Sequence, residues 1–242
     1  MNMNEVYIKI DNSKIWTINN DFNHKNTIIF CGGGPGYPDY LSLVSQMLEN
    51  QFNIIRWEYR GCGRSDKDNQ YDIETVLLDI EEIRKHYKLE NFIICGHSWG
   101  ADIALFYAIK YSRNILAILH LCGIGVQFNY NWLIETSYNK YNIGEIELEY
   151  NYLIDYNTSK KASESYRKYI ERPDLFKDIL NLNIPTLLIC AENDIRPIWP
   201  IQQLHSLIKN SKLIIIKNAQ HNIWLTHYDE MKNYINNFVN LL

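Results

Sequence analysis

A serine flanked by two glycines is the feature that most constrains how this chain folds. The pentapeptide Gly-His-Ser-Trp-Gly at residues 96–100 follows a short apolar run and precedes a helical pattern at residues 101–108. A strand, a G-x-S-x-G turn and a helix in this order are typical of a nucleophile elbow, which exposes the serine hydroxyl. Gly96 and Gly100 suit so tight a turn because they carry no side chain. We interpret Ser98 as the candidate nucleophile; the alternative is a buried serine between two chance glycines.

The two partners that a nucleophilic serine needs are both present later in the chain. A base must accept the serine proton, and a third group must orient that base. Asp194 follows an apolar run at residues 186–190, and His221 follows another at residues 212–216. In folds with this elbow the acid and then the histidine follow the serine, at the carboxyl edge of the sheet. The sequence therefore predicts a catalytic triad of Ser98, Asp194 and His221.

Both partners have competitors in the sequence. Glu192 competes for the role of the acid, and Asp194 could instead form a turn or cap a helix before Pro197. We prefer Asp194 because the acid of this pattern lies just ahead of a proline turn. We prefer His221 on chain order, and we expect His97, inside the elbow, to point away from the position of the base. The other histidines are His24, His86, His120, His205 and His227.

A second glycine-rich stretch is suited to stabilising negative charge. Residues 31–36 read Cys-Gly-Gly-Gly-Pro-Gly and follow a strand-like run at residues 27–30. Acyl transfer builds charge on the carbonyl oxygen, and the loss of one backbone N–H donor to it costs about 3 kcal/mol. We expect one donor from Gly34, with Gly33 as the alternative, and the other from Trp99. A phosphate-binding loop is disfavoured because no Lys-Ser/Thr pair follows the glycines and G-x-G-x-x-G is absent.

Together these motifs resemble the α/β-hydrolase superfamily, and within it they are most similar to the proline iminopeptidase branch. The oxyanion loop of that branch is His-Gly-Gly-Pro-Gly, which residues 33–36 match, with Gly32 in place of the histidine. Arg-Gly-Cys-Gly-Arg-Ser at residues 60–65 and Trp-Leu at residues 224–225 also match. The elbow of the branch, commonly Gly-Gly-Ser-Trp-Gly, differs here only at His97. The resemblance covers most of the chain apart from a middle segment.

The resemblance implies a serine hydrolase that cleaves a small ester or amide through an acyl-enzyme. The activity that the resemblance favours most is that of a proline iminopeptidase-like aminopeptidase acting on a small molecule or a short peptide. Carboxylesterases, thioesterases, lactonases and acyltransferases of the same fold are alternatives. A non-catalytic binding protein is a further alternative, since a fold does not determine a function. The oligomeric state is left open.

The order of strands and helices predicts an α/β-hydrolase fold with an eight-stranded, mostly parallel sheet, helices on both faces and a short helical cap. The clearest helical pattern covers residues 72–88, with Asp72 as its N-cap. We expect a single domain over residues 1–242, with the cap inserted at about residues 123–183. The predicted strands are residues 6–10, 15–18, 27–31, 53–57, 92–95, 115–121, 186–190 and 213–217.

The segment at residues 123–183, here called the cap segment, breaks the alternation of strands and helices. It carries an acidic run of Glu145, Glu147 and Glu149 and many aromatic residues. Proline iminopeptidases hold the free amino terminus of the substrate with cap carboxylates, so the resemblance makes these glutamates candidate substrate-binding residues. The alternative is that the glutamates are solvated and the aromatic residues only pack the cap. These are Tyr130, Trp132, Tyr138, Tyr141, Tyr150, Tyr152, Tyr156, Tyr166 and Tyr169.

Composition and the remaining motifs limit the partners of the chain. With 24 Lys and Arg against 28 Asp and Glu, the net charge of −4 gives no reason to expect nucleic acid or an anionic membrane. The five cysteines form no C-x-x-C pair, so we expect buried free thiols and a reducing, cytoplasmic location. No N-terminal apolar run is long enough for a signal peptide or a membrane span. Without metal-binding or dinucleotide motifs, we expect no metal and no cofactor.

Overall fold

The predicted eight-stranded, mostly parallel sheet is confirmed in the computed structural model, which describes residues 3–242. The strands are β1 (Met3–Ile10), β2 (Ser13–Asn20), β3 (Thr27–Cys31), β4 (Asn53–Trp57), β5 (Phe92–His97), β6 (Ile115–Leu121), β7 (Thr186–Ala191) and β8 (Ser211–Ile216). They lie in the order β1-β2-β4-β3-β5-β6-β7-β8. Strand β2 is antiparallel to both of its neighbours, and every later pairing is parallel.

Helices connect the parallel strands, as the sequence pattern predicts. In the predicted helix at residues 72–88, the Asp72 side chain accepts the Thr75 amide at 3.0 Å and caps the N-terminus. The helices are α1 (Ser42–Gln46), α2 (Ile73–His86), α3 (Trp99–Lys110), α4 (Tyr130–Asn142), α5 (Tyr156–Ile170), α6 (Leu175–Asn181), α7 (Trp199–Leu207) and α8 (Tyr228–Val239). Among the residues described, no helix combines the length and the apolar character needed to cross a membrane.

The sheet is covered by apolar side chains on both faces. Successive residues of β3 alternate between two clusters: Ile29 joins one with side chains of α2 and α3, and Phe30 joins the other with side chains of α1 and α8. This alternation follows from the pleat of a strand, which sends neighbouring side chains to opposite faces. All five cysteines are buried free thiols, as predicted.

Strands β1, β2, β5 and β7 extend beyond their predicted ranges, and β8 is shifted towards the N-terminus. Strand β5 continues through Gly96 and His97 because both pair with β6. Strand β8 begins at Ser211, which pairs with Thr186 of β7, and ends at Ile216. Backbone pairing, which does not depend on side-chain polarity, sets these ends. The extension of β5 brings the sheet directly up to Ser98.

The cap segment lies between β6 and β7 and contains α4, α5 and α6. Its aromatic residues do not all pack internally. Tyr130 and Tyr141 of α4 are 75% and 90% exposed, whereas Tyr166 of α5 is buried. Tyr138, Tyr152 and Tyr156 are also exposed.

The glycines around Ser98 allow a stability test. A Cβ on Gly96 would lie 2.1 Å from the Gly100 carbonyl oxygen, whereas a Cβ on Gly32 would approach nothing closer than a Tyr40 ring carbon at 3.9 Å. We predict that Gly96→Ala lowers the free energy of unfolding by about 2–3 kcal/mol or prevents folding, because backbone must shift. The matched variant Gly32→Ala should change it by less than about 0.5 kcal/mol. Urea unfolding measures both, and equal effects would contradict this packing.

Candidate active site

Ser98 occupies a sharp turn between β5 and α3. Its backbone angles are φ 57° and ψ −130°, in the left-handed half of conformational space that side chains disfavour. Such a conformation costs about 1–3 kcal/mol and persists only where the surroundings impose it. Here the Ser98 amide donates to the Leu121 carbonyl at 2.9 Å, and the Ser98 carbonyl accepts the Ala101 amide at 2.9 Å. The geometry is that of a nucleophile elbow.

Asp194 and His221 come together from two different strand ends. Asp194 follows β7, His221 follows β8, and the Nδ1 of His221 lies 2.5 Å from the Oδ2 of Asp194. Because the carboxylate accepts this hydrogen bond, the proton of a neutral imidazole is on Nδ1 and the Nε2 is free to accept another. His221 lines the same cavity as Ser98, although no hydrogen bond joins their side chains among the residues described.

Contacts with His221 and Arg196 keep the Asp194 carboxylate ionised. Burial alone would raise the pKa of this group, but His221 and Arg196 outweigh burial and lower the pKa to about 2. Arg196 donates to the Oδ1 of Asp194 twice, from its amide at 2.9 Å and from its Nη1 at 3.1 Å. The carboxylate is therefore charged at neutral pH and has one oxygen for each partner, which suits it to orient the imidazole.

The competing acid Glu192 has other partners. Its carboxylate accepts the Asn218 amide at 2.9 Å and pairs with Lys217 at 3.2 Å. Its side chain is about a third exposed (36%), whereas that of Asp194 is 7% exposed. The geometry thus favours Asp194 over Glu192 as the partner of His221.

The hydrogen bonds of the backbone amides beside Ser98 distinguish Gly33 from Gly34 as the candidate oxyanion donor. The Gly33 amide donates to the Tyr40 hydroxyl at 2.7 Å. Within the part of the chain that the structure describes, the amides of Gly34 and Trp99 have no protein acceptor. The Trp99 amide belongs to the first turn of α3, where the helix dipole also favours negative charge. The amides of Gly34 and Trp99 are therefore free to donate hydrogen bonds to an oxyanion, whereas the Gly33 amide already has an acceptor.

Ser98 lies where two cavities meet. The larger has a volume of about 470 Å³ and is lined by several charged side chains, among them Glu147 and Arg196. The smaller, of about 200 Å³, is lined mainly by apolar groups, including Ile124 and Phe128. A carbonyl carbon placed at Ser98 can thus carry one substituent into each cavity.

The three predicted cap glutamates have three different environments. Glu145 forms an ion pair of 2.7 Å with Arg196, which also contacts Asp194. Glu147 is exposed and lines the larger cavity, where it has no protein hydrogen bond or ion pair among the residues described. Glu149 is exposed and lies outside the lining of this cavity. Arg196 was not among the sequence candidates, and only its position two residues after Asp194 could have signalled it.

The ring of His97 lies beside that of His221. Its ring centroid lies 4.5 Å from that of His221, but its Nε2 contacts the backbone oxygen of His221 at 3.1 Å. Its Nδ1 contacts the Tyr40 hydroxyl at 2.8 Å. His97 therefore has partners of its own on both ring nitrogens and is not placed as the base.

Two groups of side chains around His221 have metal-ligand spacing. His97, Cys122 and His221 form one, Glu145 and Asp194 with His221 form the other, and in each the ligand atoms lie within 4.8 Å of one another. Burial raises the pKa of the Cys122 thiol well above its usual value, so this group is held as the protonated thiol. In the second group Asp194 already binds His221, and the Arg196 cation beside it would repel a metal. The arrangement suits proton transfer better than metal binding.

Comparison with known proteins identifies the family of this fold. Residues 26–149, about half of the chain, match the family described as alpha/beta hydrolase fold. A proline iminopeptidase of Chitinophaga pinensis is 32% identical over 124 residues, which are 48% of this chain and 42% of that protein. A proline iminopeptidase of Saccharolobus solfataricus is 24% identical over 263 residues, covering 89% of this chain and 85% of that protein. The chain therefore spans less than half of the first relative and most of the second.

Solved structures share the fold at low sequence identity. The crystal structure of VinJ has a TM-score of 0.80 at 10% identity, and the match covers 99% of both chains. Carboxylesterase CesB of Bacillus subtilis has a TM-score of 0.75 at 12% identity, covering 99% of this chain and 92% of that one. These likenesses concern the fold alone.

Proposed function

The chain belongs to the alpha/beta hydrolase family, and we propose that it is a serine hydrolase that cleaves a small ester or amide through an acyl-enzyme. The buried 2.5 Å hydrogen bond between His221 and Asp194 carries this proposal. It leaves the Nε2 of His221 as a proton acceptor in the cavity that Ser98 also lines. A serine in a strained turn, the imidazole of His221 and an ionised carboxylate together supply nucleophile, base and orienting group.

The proposed reaction has two acyl-transfer steps. The Nε2 of His221 accepts the Ser98 proton while the Oγ bonds to the substrate carbonyl carbon. The Gly34 and Trp99 amides then donate to the resulting oxyanion. The imidazolium gives its proton to the leaving alcohol or amine as that bond breaks, and an acyl-enzyme forms. Water, deprotonated by His221, attacks the acyl-enzyme and releases the acid, and the proton returns to Ser98.

We also propose that the cap segment covers this site. Residues 145–148 line the larger cavity. The Ile146 amide donates to the Gln220 side chain at 3.0 Å, and its carbonyl accepts the Asn222 side chain at 3.1 Å. These bonds flank His221 on both sides in the chain. A cover of this kind would limit the access of water to the site and would admit only small substrates.

Covalent labelling tests the chemistry independently of the substrate. A fluorophosphonate, which phosphonylates activated serines, should label the parent chain on Ser98 and leave Ser98→Ala unlabelled. Asp194→Asn should label at least about a hundredfold more slowly, because the amide no longer orients the required tautomer of His221. Labelling rates are read by intact mass.

Glu192→Gln is the matched control for the acid. Its carboxylate lies outside the site, so this variant should label at the rate of the parent. Unchanged labelling of Ser98→Ala would overturn the nucleophile, and a larger loss for Glu192→Gln than for Asp194→Asn would overturn the choice of acid.

For the substrate, we propose a proline iminopeptidase-like aminopeptidase. The two relatives described above carry that name, and the larger cavity has a carboxylate suited to an ammonium group. Glu147 is the candidate because Glu145 is already paired with Arg196. The apolar second cavity also suits the acyl group of an ester, so a carboxylesterase is the second candidate.

A substrate panel separates these two candidates. An aminopeptidase should cleave prolyl-naphthylamide and not its N-acylated form, since only the free amine carries the ammonium group that pairs with the carboxylate. Glu147→Gln should then raise KM for the free amine at least about tenfold, as expected for the loss of a charged hydrogen bond. Its rate on nitrophenyl acetate should not change. Glu164→Gln, an exposed glutamate of α5 outside the cavity lining, is the control. Cleavage of esters alone would contradict the proposal of an aminopeptidase and favour the carboxylesterase.

A further inference from the structure

A continuous chain of hydrogen bonds runs past Ser98 from the glycine-rich loop to the backbone of His221. The Gly33 amide lies 2.7 Å from the Tyr40 hydroxyl, which lies 2.8 Å from the Nδ1 of His97. The Nε2 of His97 lies 3.1 Å from the backbone oxygen of His221. Three segments that are far apart in the sequence are thus joined by two side chains. We call this set of contacts the Tyr40–His97 relay.

The chemistry of its ends determines the direction of each bond. A carbonyl oxygen only accepts, so the Nε2 of His97 must carry a proton. In a neutral imidazole the Nδ1 then has none and accepts the proton of the Tyr40 hydroxyl. The Gly33 amide donates to the remaining lone pairs of that hydroxyl. A single assignment of protons therefore satisfies all three contacts.

The surroundings keep both side chains of the relay neutral. His97 is 1% exposed, and burial together with the neighbouring His221 lowers the pKa of its imidazole well below the usual value. Burial also raises the pKa of the Tyr40 hydroxyl well above its usual value, although the Gly33 amide opposes this. Tyr40 therefore keeps the proton that it donates, and His97 keeps the lone pair that accepts it.

Aromatic packing fixes the relay in place. The Trp224 ring lies 4.7 Å from the His97 ring and 6.2 Å from the Tyr40 ring, measured between centroids. Tyr150 of the cap segment packs edge-on against Tyr40 at 5.9 Å. Neither ring can rotate freely without displacing these neighbours, so the hydrogen bonds are made between pre-positioned groups.

At its glycine-rich end, the relay lies next to the groups that would contact an oxyanion. A Cβ on Gly33 would lie 2.5 Å from the Cβ of Ser98, so this loop is packed directly onto the nucleophile. The next amide in the chain is that of Gly34, the candidate oxyanion donor. An error of about 1 Å in the place of such a group can cost about a hundredfold in rate.

We propose that Tyr40 and His97 are positioning residues that hold the glycine-rich loop in a fixed position relative to the backbone of His221. His97 is present as the neutral Nε2–H tautomer. The inference rests on the proposed function for its catalytic consequence, but the tautomer itself does not. The relay acts on the geometry of the Gly34 amide and of His221. Its loss should therefore weaken stabilisation of the transition state more than binding of the substrate.

The tautomer can be measured without any substrate. In ¹⁵N-histidine-labelled protein, the His97 signals, assigned by their absence in His97→Asn, should show a protonated Nε2 and an unprotonated Nδ1. They should stay so from about pH 5 to pH 8, where an ordinary histidine titrates. A protonated Nδ1, or titration of His97 in this range, would overturn the relay even if the chain proved not to be a hydrolase.

Kinetics test the positioning role. Tyr40→Phe removes one hydroxyl and should lower kcat for nitrophenyl acetate about tenfold or more, with KM changed less than about threefold. Affinity for a trifluoromethyl ketone, which forms a tetrahedral adduct, should fall by the same factor as kcat/KM. Tyr107→Phe is the matched control, since its buried hydroxyl donates to Glu81 in a different part of the molecule. Equal effects of the two variants would reduce Tyr40 to a structural residue and overturn the proposal.

Two replacements of His97 separate the two halves of the relay. His97→Asn keeps an acceptor near the position of Nδ1 for Tyr40, and His97→Gln keeps a donor near the position of Nε2 for His221. Each should retain more activity than His97→Ala, which keeps neither. Adding Tyr40→Phe should cost less in His97→Ala than in the parent, because the contact is already lost. Strictly additive losses would contradict a connected relay.

Discussion

The backbone of Ser98 is held at φ 57° and ψ −130° by close contacts between three chain segments, and the candidate site depends on that approach. The turn at Gly96 and Gly100 packs so tightly that a Cβ on Gly100 would lie 2.2 Å from the Gly32 carbonyl oxygen. The glycine-rich loop, the end of β5 and the start of α3 can meet only because side chains are missing there. Their meeting places the serine, the Trp99 amide and the Gly34 amide together.

Charge complements this steric arrangement. The Asp194 carboxylate divides its oxygens between His221 and Arg196, and Arg196 extends the contact to Glu145 of the cap segment. The acid is thereby ionised and fixed by partners on both sides. The ion pair also joins the cap segment to the loop that carries the acid, so the cap segment and His221 share one set of contacts.

The sequence predicted what short-range rules determine. The strand–turn–helix at Ser98 and the cap of α2 at Asp72 follow from local conformational requirements, and chain order was enough to place Asp194 and His221 after β7 and β8. The sheet was predicted with its strand ends displaced by a few residues, because pairing rather than polarity sets those ends.

The contacts that sequence reasoning missed join residues that are distant in the chain. Tyr40 and His97 are 57 residues apart, and Glu145 and Arg196 are 51 residues apart. No periodicity links such positions. The stretch that carries Glu145, Glu147 and Glu149 is irregular, so alternation could not predict which carboxylate faces the cavity. His97 departs from the elbow of the proline iminopeptidase branch, and the relay with Tyr40 supplies a physical reason for a histidine there.

Trapping of the acyl-enzyme tests the central claim most directly. A nitrophenyl carbamate transfers a carbamoyl group that serine hydrolases release slowly, so the covalent intermediate accumulates. After rapid mixing, absorbance should show a burst of nitrophenol of about one equivalent per chain. Mass spectrometry of the protein should then place the carbamoyl group on Ser98. Release of nitrophenol with the carbamoyl group on another residue, or an equal burst from Ser98→Ala, would contradict the account.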